Sequence, residues 1–430
     1  MMSLQSYDTV IIGSGLGGLF SAGYLGNLGL KVKIIESHNK LGGLATWYFR
    51  LNKHFLFSVS PHLIPKSTIK YVRKAFGDEV SSLIRPYKEV YIHDNTLEKI
   101  DYEQDQFHSF LKSKFPDSFM EKIESLKNEN LNLSIKDFSN SLGPEKENFL
   151  KYFFLPLSHA KGLSLNAPVL VLFKTLDFFI ESGIYHFGEN ILETMKKIKN
   201  SLLAKNVNFS LGEPVTSITK NDNSYEIIVK KKKIIAKSII WNGSLSDLSR
   251  LTLKSEKLKH LDLSASSSFT QSVIGLTSPL SKFKNHIIFN NGQRHKNGYF
   301  FYDEKFKTLV YTTQDCFSNW KDLDEHEKIK QKSEMARTTL ELAKKIYGDF
   351  TPQFQEVSTP LTVYRYTRNI NGASFGHRGL EESLIKEIEK DFPGIFCCFA
   401  MGEEFTGWLG LAKLAKIKVN DCQDFLIGQT

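Results

Sequence analysis

The stretch TVIIGSGLGG, residues 9–18, decides the fold of this chain. Its first four residues form a short apolar run that predicts a buried strand, and the glycines then lead into a helical pattern that continues to about Asn27. A second apolar run, Lys31–Ile35, predicts a second strand that ends in Glu36. Strand, glycine turn, helix, strand and acid, in this order, predict a dinucleotide-binding unit.

Each part of that pattern has a physical role in binding a dinucleotide. Gly13 permits a tight turn after the strand, Gly15 leaves the backbone open to a pyrophosphate, and Gly18 allows close packing of the helix on the sheet. The helix N-terminus offers free N–H groups to the phosphates. Glu36 can accept hydrogen bonds from both ribose hydroxyls and disfavours a 2′-phosphate. The alternative is a glycine-rich turn in an ordinary α/β domain.

A second glycine motif indicates which dinucleotide is bound. The stretch LGGLAT, residues 41–46, follows Glu36 closely and would approach the diphosphate from a second side. This arrangement resembles the N-terminal motif of FAD-containing flavoproteins of the amine oxidase and phytoene desaturase group. The resemblance implies an α/β fold, with a Rossmann-like FAD-binding domain of the amine oxidase type and an interleaved α+β substrate domain.

Later stretches of the chain resemble the same group. Val215 and Ile218 form a Val-x-x-Ile pair, which in the family meets the adenine side of FAD. The stretches STPLTVYRYT (358–367) and GASFG (372–376) resemble a segment near the substrate-facing side of the flavin in carotenoid desaturases, carotenoid isomerases and retinol saturases. The stretch MGEEFTGWLG (401–410) resembles the C-terminal flavin-binding motif, although Glu403 stands where the family usually has aspartate.

Together these motifs predict the site residues. The predicted FAD-binding residues are Gly13, Ser14, Gly15, Leu16, Gly17, Gly18, Glu36, Ser37, Gly42, Gly43, Leu44, Val215, Gly402, Glu403 and Leu409. The candidate catalytic residues are His62, Arg365 and Tyr366. An unperturbed histidine pKa lies near neutrality, which suits His62 to acid–base chemistry, and an arginine can stabilise developing negative charge. A buried structural histidine and a plain salt bridge are the alternatives.

Length and segment pattern predict the domain organisation. The FAD-binding domain is expected to be discontinuous, from residues 1–65, 186–264 and 390–430 of the 430-residue chain. Residues 66–185 are expected to be mostly helical, and 265–389 to form a β-rich substrate domain with one helix. The most apolar segment, Ala167–Ile180, is interpreted as a buried helix, a tunnel wall or a membrane-surface helix. The lysines at 230–233 are expected in a solvated hairpin turn.

Composition limits the partners and the compartment. The net charge of +9 suits an anionic membrane surface, although a generally lysine-rich composition explains it as well. No nucleic-acid motif is present, and the four cysteines lack the spacing of metal ligands, so we expect reduced thiols and no metal. With no signal peptide before the first strand and no apolar run long enough to span a bilayer, we expect a cytoplasmic protein, and peripheral contact with a membrane stays open.

The resemblance implies an FAD-dependent oxidoreductase that desaturates, saturates or isomerises a carbon–carbon bond of an apolar isoprenoid or polyene. The electron acceptor is left open among oxygen, a quinone and a partner protein, because no second nucleotide motif is present. The sequence leaves two alternative functions open. One is a flavin amine oxidase, and the other is a non-catalytic prenyl- or lipid-binding protein with the same fold, which would be expected to lose its phosphate-binding glycines.

Overall fold

The computed structural model describes residues 5–59, 62–87, 90–94, 96–100, 102, 104–127, 129, 133–161, 163–252, 264–265, 268–281, 285–289, 297–374, 376–378, 382–401 and 405–428. The strands are β1 (Gln5–Ile12), β2 (Val32–Glu36), β3 (Trp47–Arg50), β4 (Phe55–Ser58), β5 (Ile64–Pro65), β6 (Ile84–Pro86), β7 (Val90–Asp94), β8 (Thr96–Ile100), β9 (Ile184–Phe187), β10 (Asn208–Leu211), β11 (Val215–Asn221), β12 (Ser224–Val229), β13 (Lys232–Trp241), β14 (Ser264–Ala265), β15 (Ser268–Leu276), β16 (Asn285–Ile288), β17 (Gly298–Asp303), β18 (Thr308–Asp315), β19 (Pro352–Ser358), β20 (His377–Arg378) and β21 (Ile395–Cys397).

Helices connect these strands and cover the sheets. They are α1 (Leu16–Asn27), α2 (Thr68–Phe76), α3 (Asp78–Ser81), α4 (Gln104–Lys114), α5 (Asp117–Leu126), α6 (Ile135–Ser141), α7 (Lys146–Asn148), α8 (Leu155–Lys161), α9 (Val169–Ser182), α10 (Ile191–Leu203), α11 (Leu245–Thr252), α12 (Ser318–Lys321), α13 (Glu325–Tyr347), α14 (Pro360–Thr367), α15 (Glu382–Asp391) and α16 (Gly407–Ile427). A π-helical turn, Phe149–Phe154, joins α7 to α8.

The first sheet is the predicted dinucleotide-binding sheet. Its strands follow the order β10-β2-β1-β13-β12-β11, and β21 also pairs with β13. Strands β10, β2, β1, β13 and β21 run parallel, so their carboxyl ends meet at one edge. Strand β1 lies between β2 and β13 and is almost entirely buried along its second half, which explains its continuous apolar sequence. The predicted elements β1, α1 and β2 are all present.

The second sheet has the order β19-β15-β18-β17-β16-β7-β8. Most of its strands come from the stretch predicted to be β-rich, and α13 packs against β15 and β19. Strands β7 and β8 instead come from residues 66–185, where β7 pairs in parallel with β16. The described residues of that stretch are mostly helical, as predicted, and β7 and β8 complete a sheet whose other strands lie far along the chain.

The apolar segment around α9 is a buried helix. Val169, Leu172, Phe173 and Leu176 are fully buried in a core shared with α4, α6 and the π-helical turn. Among the described residues, no helix is both long and apolar enough to cross a bilayer.

Two other local expectations are tested directly by the structure. Lys230 and Lys231 form the β12–β13 turn with positive φ angles of 43° and 68°, as expected of a tight hairpin turn. The four cysteines form no disulfide with one another, and only Cys316 is exposed.

Candidate functional site

A single continuous cavity of about 910 Å³ lies at the carboxyl ends of β1, β2 and β13. In a parallel sheet this edge is where ligands bind, at the point where the connections diverge to the two sides. The cavity extends from the glycine turn after β1 to side chains of β5, α9 and β17. We call the part around Gly13–Leu16 and Glu36–His38 the dinucleotide end. We call the part formed by Leu63, Val171, Thr175, Ile184 and Tyr299 the apolar end.

The two glycine motifs meet at the dinucleotide end. Gly15 and Gly42 form an isolated parallel bridge, and the Gly42 N–H donates to the Ser14 carbonyl at 2.9 Å. A Cβ atom on Gly43 would lie 3.0 Å from the Gly15 Cα atom, so a side chain there would press on the first turn. Gly13 has a φ of 96°, which favours glycine. The predicted approach of the second glycine motif to the first is therefore present.

Glu36 is buried at this end and anchored by the chain itself. Its Oε2 atom accepts hydrogen bonds from the Ser14 N–H at 2.8 Å and from the Ser14 hydroxyl at 2.7 Å. Its Oε1 atom accepts from the His38 N–H at 2.8 Å and from the Ser37 hydroxyl at 3.2 Å. Two of these four donors are hydroxyls that can rotate away, so the carboxylate can exchange them for ribose hydroxyls.

Asn242, immediately after β13, contributes to the same end. Its Nδ2 atom donates to the Cys398 carbonyl, while its Oδ1 atom is buried and has no hydrogen-bond partner within the described part of the chain. A Cβ atom on Gly15 would lie only 2.7 Å from this Oδ1 atom. Asn242 therefore enforces glycine at position 15 from the opposite side of the turn.

The N-termini of two helices border the cavity. Helix α1 begins after Gly15 and α16 begins after Thr406, and neither has a side-chain N-cap hydrogen bond, so backbone N–H groups remain for an anion or a carbonyl oxygen. Trp408 Nε1 and Ser374 Oγ also line the cavity, buried and without a hydrogen-bond partner in the residues that the structure describes. Open backbone at glycines, helix N-termini and buried unsatisfied polar atoms together fit an extended, hydrogen-bonding, anionic cofactor.

The apolar end has a different chemistry. Leu63, Val171 and Tyr299 pack against the same buried core as α9. Burial raises the pKa of Tyr299, while a hydrogen bond with Thr312 opposes this shift, so its phenol is neutral. Asp177, farther along α9, also lines the cavity but forms an ion pair with Lys127. The carboxylate is therefore neutralised, and this end suits an uncharged apolar group.

His62 lies in the cavity wall with a positive φ of 52°. Its Nε2 atom is 3.1 Å from the Ser58 hydroxyl oxygen, and its ring packs edge-on against Trp408 with centroids 6.2 Å apart. Burial lowers the pKa of His62 to about 3. His62 therefore lacks the near-neutral pKa on which its predicted acid–base role depended. Its imidazole is neutral and only weakly basic at physiological pH.

Tyr366 and Arg365 lie elsewhere than the resemblance implies. They belong to helix α14 and border the dinucleotide end, where the Tyr366 ring stacks on His38 with centroids 4.2 Å apart. Burial raises the pKa of Tyr366, the Glu36 carboxylate raises it further, and the Thr46 hydroxyl opposes the shift. Arg365 is exposed. Their position beside the predicted ribose-binding carboxylate gives no support to the predicted catalytic roles.

The other predicted site residues fall into three groups. Several line the cavity: Gly13, Gly15, Leu16, Glu36, Ser37, Gly42, Gly43, Leu44, Val215 and Leu409. Ser14, Gly17 and Gly18 are buried beneath the turn, where a Cβ atom on Gly17 or Gly18 would collide with a backbone carbonyl oxygen of Cys398 or Gly13, respectively. Gly402 and Glu403 lie outside the described residues.

Sequence reasoning missed Asn242, Trp408, Ser374 and His38 as site residues. Asn242 had a usable signal, because it follows an apolar strand and precedes a glycine. A parallel neighbour of β1 must end at the same edge as the glycine turn. Trp408 and Ser374 lie within the stretches 401–410 and 372–376 that resemble flavin-binding segments, but the resemblance did not single them out, and His38 is only two residues from Glu36.

Comparisons with known proteins agree with this architecture. The family model described as an NAD(P)-binding Rossmann-like domain matches residues 11–78. A curated relative, ferredoxin–NADP reductase 3 of Lysinibacillus sphaericus, is 55% identical over 42 residues, which are 10% of this chain and 12% of the relative. The match thus spans only about an eighth of that relative's length.

Solved structures are similar over nearly the whole chain. An oxidoreductase from Methanosarcina mazei superposes with a TM-score of 0.69 at 17% identity, covering 97% of this chain and 99% of that one. Wild-type putrescine oxidase bound to putrescine gives 0.68 at 13% identity, covering 98% and 100%. A fatty acid isomerase from P. acnes that produces CLA gives 0.66 at 11% identity, covering 96% and 98%. The chain therefore shares its overall fold with these proteins, and its N-terminal part is Rossmann-like.

Proposed function

We propose that this protein is an FAD-dependent oxidoreductase that acts on a carbon–carbon bond of an apolar, isoprenoid- or polyene-like molecule. The observation that carries the proposal is the continuity of the cavity. Within one continuous space, open backbone at the glycine turns gives way to apolar side chains of β5, α9 and β17. Such a space can hold a dinucleotide cofactor and an apolar molecule side by side.

Bound FAD would supply the hydride chemistry, and the chain's own residues would bind, orient and exclude water. Gly15, Gly43 and the N-terminus of α1 would hold the diphosphate, and Glu36 would hold the ribose. Trp408 and the neutral His62 lie together in the wall and would form part of the boundary between the two ends. Leu63, Val171 and Tyr299 would keep the substrate in a dry environment.

The electrostatics of the apolar end favour an uncharged substrate over an amine. A cationic amine would need a carboxylate close to it, and burial of an unpaired ammonium is costly. On α9, the charged residues that line the cavity are Lys174 and Asp177; Asp177 is paired with Lys127 and Lys174 is itself a cation, so the described residues of this helix offer an ammonium no unpaired carboxylate. Amine oxidation, the activity named for the putrescine oxidase neighbour, is therefore the second candidate, supported by fold similarity alone.

Desaturation, saturation and isomerisation are all consistent with such a cavity. We include isomerisation because one structure with a similar fold is named a fatty acid isomerase, and a fatty acid has a long apolar chain. The electron acceptor is proposed to be oxygen, a quinone or a partner protein. The net charge of +9 supports a proposed contact with an anionic membrane surface, from which an apolar substrate would be drawn.

The first experiment is the visible absorption spectrum of the purified protein, with identification of the chromophore released on denaturation. The proposal requires oxidised-flavin bands and released FAD. Anaerobic mixing with retinol, a free fatty acid or putrescine would follow, with loss of the flavin absorption and chromatographic analysis of the products as the two readouts. Flavin bleaching by putrescine alone would favour an amine oxidase. A colourless protein that takes up no added FAD but binds retinol would support the non-catalytic lipid-binding alternative.

A further inference from the structure

The last turn of α14 reaches across the opening of the dinucleotide end. On one side, the Tyr366 ring stacks on the His38 ring at an interplanar angle of 10°. The His38 Nε2 atom also lies 3.0 Å from the Tyr366 carbonyl oxygen, to which it donates. His38 follows β2 directly and is tied to Glu36 through its own N–H. This turn of α14 is therefore attached to the carboxyl end of β2.

On the other side, the residue after α14 contacts the segment that follows β13. Arg368 Nη1 lies 3.1 Å from the Asp247 Oδ1 atom, which Arg250 of α11 also contacts at 3.2 Å. Asp247 is held in the first turn of α11, because its N–H donates to Ser244 Oγ and the same hydroxyl donates back to its Oδ2 atom, both at 3.1 Å. The ion pair thus joins α14 to the carboxyl end of β13.

The strand order determines what lies beneath this connection. Strand β1 is the neighbour of both β2 and β13, and its carboxyl end carries the glycine turn. The end of α14 thus contacts the segments that follow β2 and β13, the two neighbours of β1, and it lines the same cavity as the glycine turn. We call residues Arg365–Asn369, all of which line the cavity, the strap.

The strap is held from the second sheet. The Ser268 hydroxyl at the start of β15 donates to the Gly372 carbonyl at 2.7 Å, and Asn369 Nδ2 donates to the Ala373 carbonyl at 2.9 Å. Arg368 has a φ of 57°, so the chain turns sharply at the point where its side chain reaches Asp247. Contacts with the second sheet thereby hold the strap beside the edge of the first sheet where the cavity lies.

We propose that the strap retains the bound dinucleotide, with Tyr366 and Arg368 as positioning residues that must release His38 and Asp247 before FAD can leave. The inference rests on FAD as the cofactor of the proposed function and concerns its retention. Each contact alone is modest, because an exposed ion pair and an aromatic stack are both weak interactions. Together they hold the strap in the wall of the cavity that also contains the glycine turn.

The test measures the rate at which FAD leaves the holoprotein, followed by the rise of flavin fluorescence after dilution. Tyr366→Leu removes the stack, and we expect release to be about 2- to 10-fold faster. Tyr366→Phe keeps the ring and should behave as the wild type. Tyr364→Leu is the matched control, since Tyr364 is an exposed tyrosine on the same helix that packs on Phe317 and not on the cavity.

The ion pair is tested by a double-mutant cycle with Arg368→Gln and Asp247→Asn. If the pair holds the strap, each single variant releases FAD faster, and the double variant is no faster than either one. If Arg368 instead binds the diphosphate, Asp247→Asn leaves release unchanged or slows it, which overturns this half of the strap. Arg337→Gln, which breaks an exposed Arg337–Glu341 pair on α13, is the control for loss of a surface charge pair.

The outcomes separate the strap from the proposed function. A wild-type protein that binds no FAD overturns the strap together with the cofactor. A wild type that binds FAD, with Tyr366→Leu releasing it no faster than Tyr364→Leu, overturns the strap alone. Thermal unfolding of the apoproteins guards against a general loss of folding, and the conservative Tyr366→Phe and Arg368→Gln variants keep the comparison valid if Tyr366→Leu is unstable.

Discussion

At the dinucleotide end of the cavity the backbone itself forms the surface, whereas at the apolar end side chains from distant segments form it. Gly15 and Gly42 approach each other as bare backbone, and nearby Glu36 is held by donors within two residues of itself and by Ser14. Leu63 directly precedes β5, Val171 lies on α9, and Tyr299 lies on β17 of the second sheet. The backbone surface of the dinucleotide end has almost no room for added atoms. Binding at the apolar end depends instead on the total apolar area that its side chains provide.

This difference separates the two functions of the cavity. A backbone surface is specific for one ligand shape, because each N–H and each missing Cβ atom has a fixed place. An apolar side-chain surface accepts many molecules of suitable size and excludes charge. Substitutions at the two ends should accordingly affect cofactor and substrate separately.

Gly15→Ala is expected to have the largest effect. The new Cβ atom would lie 2.7 Å from Asn242 Oδ1, so the turn or Asn242 must shift. We expect FAD affinity, measured by fluorescence titration, to fall about 10- to 100-fold, as forced overpacking typically costs 1–3 kcal/mol. Gly428→Ala is the control, because a Cβ atom there comes no closer than 3.5 Å to its neighbours. Unchanged affinity in Gly15→Ala would contradict a backbone-defined surface.

Val171→Asp should affect only the apolar end. A carboxylate in that wall would have to stay hydrated or be neutralised, so we expect binding of retinol as an apolar probe to weaken about 10-fold while FAD affinity is kept. Leu170→Asp, on the same helix but not in the cavity wall, is the comparison variant. Equal losses of retinol and FAD binding in Val171→Asp would show that the two ends do not act separately.

His62 at the boundary should produce a pH dependence of stability. Its pKa is about 3 in the folded protein and about 6.5 in an unfolded chain, so only the unfolded state takes up a proton as the pH falls between these values. The folded protein should therefore lose about 1 kcal/mol of unfolding free energy from this group between pH 7.5 and 5.5.

Urea unfolding of the wild type and His62→Asn at both pH values measures that contribution. The difference in unfolding free energy between the two proteins should change with pH, in favour of the variant at low pH. His54→Asn, at an exposed histidine, should follow the wild type. A pH-independent difference would show that His62 is not buried as the neutral form.

Ser14→Ala should give the smallest effect. It removes one of the donors to Glu36 and leaves the others in place. We expect a loss of about 1 kcal/mol of unfolding free energy in urea, the usual net value of one hydrogen bond. Ser113→Ala, at an exposed serine that donates only to a helix carbonyl, should change less. A much larger loss would mean that Ser14 does more than anchor Glu36.

The sequence predicted the first sheet well and the second only in pieces. Strands β1 and β2 and helix α1 are contiguous, and their pattern of strand, glycine and acid leaves few alternatives. The Tyr364–Thr367 segment could not be assigned from its residues, and it proved helical and placed over Glu36 instead of beside the predicted substrate side. Its location follows from the path of β15 and β19 in a different sheet.

By itself, the sequence determined the dinucleotide-binding turn, its carboxylate and the second glycine motif, because these interactions join residues close in the chain through backbone geometry. The tertiary structure alone decided that Asn242 closes the turn, that burial depresses the pKa of His62, and that Tyr366 meets His38. Each of these depends on packing between segments tens to hundreds of residues apart. No local pattern encodes such contacts, since desolvation and close approach exist only after the sheets have assembled.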